Sequence, residues 1–164
     1  MLSDLRSGDF VDVLRRLLLG LVVLGALGLE AELLLLEHYE SAWQFTPLVL
    51  LGAVLIAAVL VWRQPSPATV RFFQAVMVLC VAAGAIGMFL HYDGNVEFEL
   101  EREPLLGGLA LFWEAARGAT PALAPGAMAQ LGLLGLVYTY RHPARRRVPP
   151  AQSPGVTIDP STRP

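Results

Sequence analysis

The sequence predicts an all-α membrane protein, a four-helix transmembrane bundle with a short interfacial helix before the fourth span. Three observations carry that prediction. The 164 residues are 55% hydrophobic and only 16% charged, an apolar excess over ordinary soluble domains. The apolar residues are clustered into four runs nearly free of charge, at positions 17–29, 43–62, 72–90 and 122–140. The charges between the runs also segregate by loop.

A helix rises about 1.5 Å per residue and the hydrocarbon layer is roughly 30 Å thick, so about 20 apolar residues make one crossing. The second and third runs have that length. The first reaches it only by continuing through Glu30 and Glu32 into the leucines at 33–36. A secretory signal core at 17–29 is the competing reading, and the apolar continuation past any cleavage point disfavours it. Pro125 falls in the first turn of the fourth run, where proline is tolerated. The predicted spans are 11–38, 41–62, 69–92 and 122–141, within one transmembrane domain covering residues 1–142.

Lysine is absent and all twelve basic residues are arginine. With loops assigned alternately, the N-terminal segment, the 63–71 loop and the C-terminal tail together carry +6 and the other side carries −8, which reproduces the net charge of −2. The positive-inside rule then places both termini in the cytoplasm and the protein as a multi-pass component of the cell (inner) membrane. Trp43 and Trp62 bracket the second span as interfacial anchors.

In the connections, a few residues join the first two helices, forcing an antiparallel hairpin. Pro65 and Pro67 stop the second helix, with the third starting near Thr69. Asp93-Gly94-Asn95 reads as the turn that ends the third helix. Residues 96–101 alternate between apolar and acidic, the period of an extended strand with one wet face. Residues 105–117 place apolar side chains at helical spacing over too short a length to span, which predicts an interfacial helix. The basic, proline-rich tail at 143–164 is expected to be disordered in the cytoplasm and attracted unspecifically to anionic lipid.

Gly25 with Gly28, Gly84 with Gly87, and Gly132 with Gly135 offer faces on which helix backbones can approach closely in lipid. Gln130 is expected to hydrogen-bond a neighbouring helix. The expected partners are the lipid bilayer and, through such faces, a second copy or another membrane protein. Nothing in the sequence points to nucleic acid.

The residues that could carry chemistry gather at the acidic ends of the first and third helices, as His38-Tyr39-Glu40 and His91-Tyr92-Asp93. On a continuous first helix, Glu30 and Glu37 share a face, with His38 on the neighbouring one. Mixed imidazole and carboxylate groups suit a first-row divalent metal, so Glu30, Glu37, His38, His91 and Asp93 form the candidate metal site. Glu40, Glu97, Glu99 and Glu101 make a secondary acidic rim. Two imidazoles at matched depth would also suit haem, which the surrounding carboxylates disfavour. His142 reads as an interfacial residue, and Cys80, alone and mid-span, as a core residue. Phosphate-binding glycine loops, His-Glu-x-x-His, Cys-x-x-Cys and Gly-x-Ser-x-Gly are all missing from the sequence, so an enzyme is disfavoured. The function that follows is binding or transport of a divalent cation at the outer face. The alternative is a non-catalytic accessory or scaffold subunit of a membrane complex.

Overall fold

A computed structural model describes residues 7–118, 120–121 and 123–145. The described residues form five α-helices: α1 Ser7–Leu35, α2 Ala42–Arg63, α3 Pro67–Arg102, α4 Gly108–Ala116 and α5 Gly126–Thr139, followed by a 3-10 turn, Pro143–Arg145. Three of them, α1, α2 and α3, are long and apolar enough to cross a membrane. Their outward faces carry exposed large apolar side chains, among them Leu17, Leu24, Val49, Ile56, Leu79 and Phe89, as lipid contact requires and water does not favour. This is a membrane protein built of helices.

The helices pack in a ring. α1 touches α2 and α5, and α3 touches the same two from the opposite corner, so α1 and α3 face each other across a diagonal. The core between them is apolar at its centre, with Val22, Leu51, Val54, Phe73, Met77 and Cys80 fully buried. The closest seam is between α3 and α5. A Cβ on Gly84 would lie 2.6 Å from the Ala129 amide nitrogen, and one on Gly132 2.6 Å from the Met77 carbonyl oxygen. Gly25, Gly87 and Gly135 likewise abut neighbouring helices, whereas nothing lies within 4 Å of a Cβ on Gly28.

Helix boundaries follow local chemistry, and several differ from the sequence expectation. α1 stops at Leu35 rather than at residue 38. Glu37 adopts a left-handed conformation with φ 52°. Its amide donates to the Leu34 carbonyl (3.2 Å) and the His38 amide to the Leu33 carbonyl (2.9 Å). These two bonds are those of a Schellman stop, here with glutamate where glycine is usual. Glu37 and His38 therefore leave the helix, and the shared face with Glu30 does not form.

Ser41 caps α2 and Ser66 caps α3, each in a reciprocal box with Gln44 or Thr69. Pro67 opens α3 rather than blocking it, since its missing amide proton has no intrahelical partner at that position anyway.

The larger correction concerns residues 93–101. They are neither a turn nor a strand, because α3 runs through them to Arg102, 36 residues in all. By helix rise that is about 54 Å, well beyond one hydrocarbon thickness, so its last turns stand clear of the apolar core. On this extension the buried positions are Asn95 and Glu99, one helical turn apart and polar, while Phe98 and Leu100 are exposed. The apolar–acidic alternation is thus not the pattern that burial follows.

The interfacial helix is present as α4, shorter than residues 105–117 and packed against α3. α5 has 14 residues, about 21 Å by rise, against the twenty residues expected at 122–141. The expectation of a disordered tail falls mainly on residues 146–164, outside the described residues. Its first three residues form the 3-10 turn against α3.

Candidate functional site

At the acidic end of the bundle the turn after α1 reaches across the diagonal toward α3. It brings the His38 ring to 6.3 Å from that of His91, centroid to centroid, with the planes tilted by 59°. The tautomer of His91 follows from its partner. Nδ1 lies 3.2 Å from the Pro121 carbonyl oxygen, and a carbonyl only accepts, so Nδ1 carries a proton, and in the neutral ring it is Nε2 that has the lone pair. His38 is held below the ordinary imidazole range, first by burial and second by the neighbouring His91. Both changes favour the neutral form.

The carboxylates are less gathered. Glu37, Glu40, Asp93, Glu97 and Glu101 are exposed. Glu30 is half-buried in α1, and its Oε2 is sealed from solvent with no hydrogen-bond partner among the described residues. Glu99 is buried, and its Oε2 stands 2.8 Å from Arg102 Nη2. That contact is close enough for an ion pair, although its angles do not make a hydrogen bond. We read it as an ionic contact, since charge attraction depends on distance more than on direction. Among the described residues no group of three or more His, Cys, Asp or Glu is arranged to hold a metal ion. The two imidazoles are together, and the five-residue constellation expected from the sequence is not.

Two polar features have no counterpart in the sequence expectation, and a third corrects it. Asn95 is buried and makes three hydrogen bonds. Its Nδ2 donates to the Ala115 carbonyl (2.9 Å) and the Thr120 carbonyl (2.6 Å), and its Oδ1 accepts from the Thr120 amide (3.1 Å). This joins α3, the end of α4 and the segment leading to Pro121. At the opposite, arginine-rich end, Gln74 donates to Thr139 Oγ1 (3.0 Å) and accepts from Arg145 (2.9 Å), clamping α3 to the end of α5.

The third feature is His142, which is buried rather than interfacial. Its Nδ1 accepts from the Ala144 amide at 3.3 Å, and its Nε2 lies 3.4 Å from the Tyr138 hydroxyl. An accepting Nδ1 means a neutral ring protonated at Nε2. Burial lowers its pKa first and the nearby Arg15 second, with Asp12 opposing. The folded state therefore binds a proton at this ring less readily than the unfolded chain does, so stability is present above the unfolded value of about 6.5 and is lost as pH falls below it. We expect the thermal midpoint of the detergent-solubilised protein to drop between pH 7 and pH 5, and His142→Gln to flatten that dependence. An unchanged slope in the variant would assign the effect to other groups.

No protein-family model, curated protein or solved structure matches this chain.

Proposed function

We propose that the protein is a four-crossing membrane bundle whose acidic end binds a divalent cation through His38 and His91. The observation that carries this reading is the approach of the two rings, with the Nδ1 proton of His91 engaged by a backbone carbonyl. Histidines that bind metal ordinarily donate their second ring proton to such an acceptor, which orients the ring and leaves the other nitrogen free to ligate. Two imidazoles bound to one ion through about 2.1 Å bonds have centroids about 5 to 6 Å apart, so side-chain rotation would close the pair onto a metal. Remaining positions would be filled by water or by Glu37 or Asp93, each next to or near a histidine in sequence.

α5 supplies the fourth crossing in this reading. It is shorter than a full hydrocarbon thickness, and the bilayer can thin locally around a short span at modest cost. The acidic end then faces away from the cytoplasm and both termini lie inside, as the arginine distribution favours.

Titration of the detergent-solubilised protein with Co²⁺ or Zn²⁺ tests the reading. Saturable binding at one ion per chain is expected, weakened at least tenfold by either His38→Ala or His91→Ala, since even loss of an orienting partner costs that much. It should weaken as pH falls, because the ligands must be deprotonated. Binding indifferent to both substitutions, or none, gives the ground to the scaffold reading. That second reading has its own support in α4, where Leu109, Phe112 and Trp113 are exposed and could dock another membrane protein.

A further inference from the structure

The arginine-rich end holds a groove of about 590 Å³ between the start of α1, the end of α2 and the end of α5. Its lining includes Arg15 and Arg16, apolar Leu19 and Val61, and the aromatic Trp62 and Tyr138. Arg15 is mostly buried and oriented, with Nη1 3.4 Å from the Asp12 carboxylate and Nη2 donating to the Arg141 carbonyl at 3.1 Å. Arg16 is exposed and has no carboxylate within ion-pair distance among the described residues. Asp12 offsets one of the two guanidinium charges, so among the described residues the groove combines one uncompensated cation with the apolar side chains of Leu19 and Val61. Trp62 is exposed beside it, as an aromatic ring at the headgroup level would be.

We infer that this groove binds a phosphate group, with an anionic phospholipid headgroup as its source. Guanidinium groups match phosphate oxygens in planar, bidentate geometry. A soluble phosphate would engage the guanidinium and leave apolar Leu19 and Val61 without a partner. A phospholipid uses both, phosphate at Arg16 and the first acyl methylenes against Leu19 and Val61. The groove is distinct from the histidine pair, which lies at the other end of the bundle, so the two can fail independently.

The test uses the full chain with Trp43→Phe and Trp113→Phe, leaving Trp62 as the one tryptophan, in bilayer nanodiscs. Trp62 fluorescence is quenched with brominated phosphatidylglycerol or, separately, brominated phosphatidylcholine as a minor component. Several-fold stronger quenching by the phosphatidylglycerol is expected, weakened roughly fivefold in apparent affinity by Arg16→Gln, the equivalent of about 1 kcal/mol for one charge near a membrane surface. Arg71→Gln removes the same charge from the exposed start of α3, outside the groove, and should leave the selectivity intact. Relief of quenching by millimolar inorganic phosphate at constant ionic strength would support the same site with free phosphate as its ligand. Equal quenching by the two lipids without phosphate relief, or equal loss in Arg16→Gln and Arg71→Gln, overturns the inference.

Discussion

Gly132→Val is expected to cost about 3 kcal/mol or more and to lower the thermal midpoint well below that of Gly52→Val. Overpacked cores ordinarily lose about 1–3 kcal/mol because side chains and backbone must shift. Here the added atom would stand 2.6 Å from the Met77 carbonyl oxygen and 3.0 Å from the Val81 amide nitrogen. Both belong to the α3 backbone, which cannot rotate away as a side chain can. The two helices would have to separate, and the seam they share includes Phe73, Met77 and Tyr138, with the Phe73 and Tyr138 rings edge-to-face at 5.4 Å. Gly52→Val is the control, since nothing lies within 4 Å of a Cβ there. Unfolding midpoints in detergent should separate the two variants clearly, and similar midpoints would mean that the α3–α5 contact does not limit stability.

That seam shows which parts of the fold can be read from residues alone. Apolar run length is a one-dimensional quantity, so α1, α2 and α3 were legible as long membrane helices, α2 to within a residue at each end. Gly84 and Gly132 were legible because close backbone approach has few residue types to choose from. The end of α1 was not legible, because a left-handed stop marked by glutamate carries no sequence signal of its own. The continuation of α3 through Asp93-Gly94-Asn95 was hidden for a different reason. Asn95 is a turn-former when its amide is free to bond locally, but here that amide is taken by Ala115 and Thr120, 20 and 25 residues away. Long-range satisfaction of a polar side chain overrode the local preference. The same limit applies to the candidate site. The matched depth of His38 and His91 followed from counting residues, whereas the carboxylates scattered once Glu37 left the helix. The basic groove draws on segments up to 132 positions apart in sequence, from Asp12 to Ala144, and no local pattern announces it.

Asn95→Asp is expected to loosen α4 and the segment after it while keeping the shape of the side chain. A carboxylate can still accept from the Thr120 amide but cannot donate, so the carbonyls of Ala115 and Thr120 each lose a donor and face a negative charge. Leaving a buried polar group unpaired costs about 1–3 kcal/mol, so a loss of that order in α4 docking should follow. The effect is local: amide hydrogen exchange at Thr120 and along α4 should accelerate strongly while that of the α2 core stays protected. Gly118→Ala approaches the same contact from the other side, since its Cβ would sit 2.6 Å from Asn95 Cγ. The consequence reaches the histidine pair. Pro121, whose carbonyl fixes the His91 tautomer, follows Thr120 directly, so releasing Thr120 releases the acceptor that orients His91. Asn95→Asp should therefore weaken Co²⁺ binding although Asn95 ligates nothing, and by the 10- to 100-fold typical of a lost orienting partner. Faster exchange at Thr120 with unchanged Co²⁺ affinity would uncouple the α4 anchor from the imidazoles and leave His91 positioned by α3 alone.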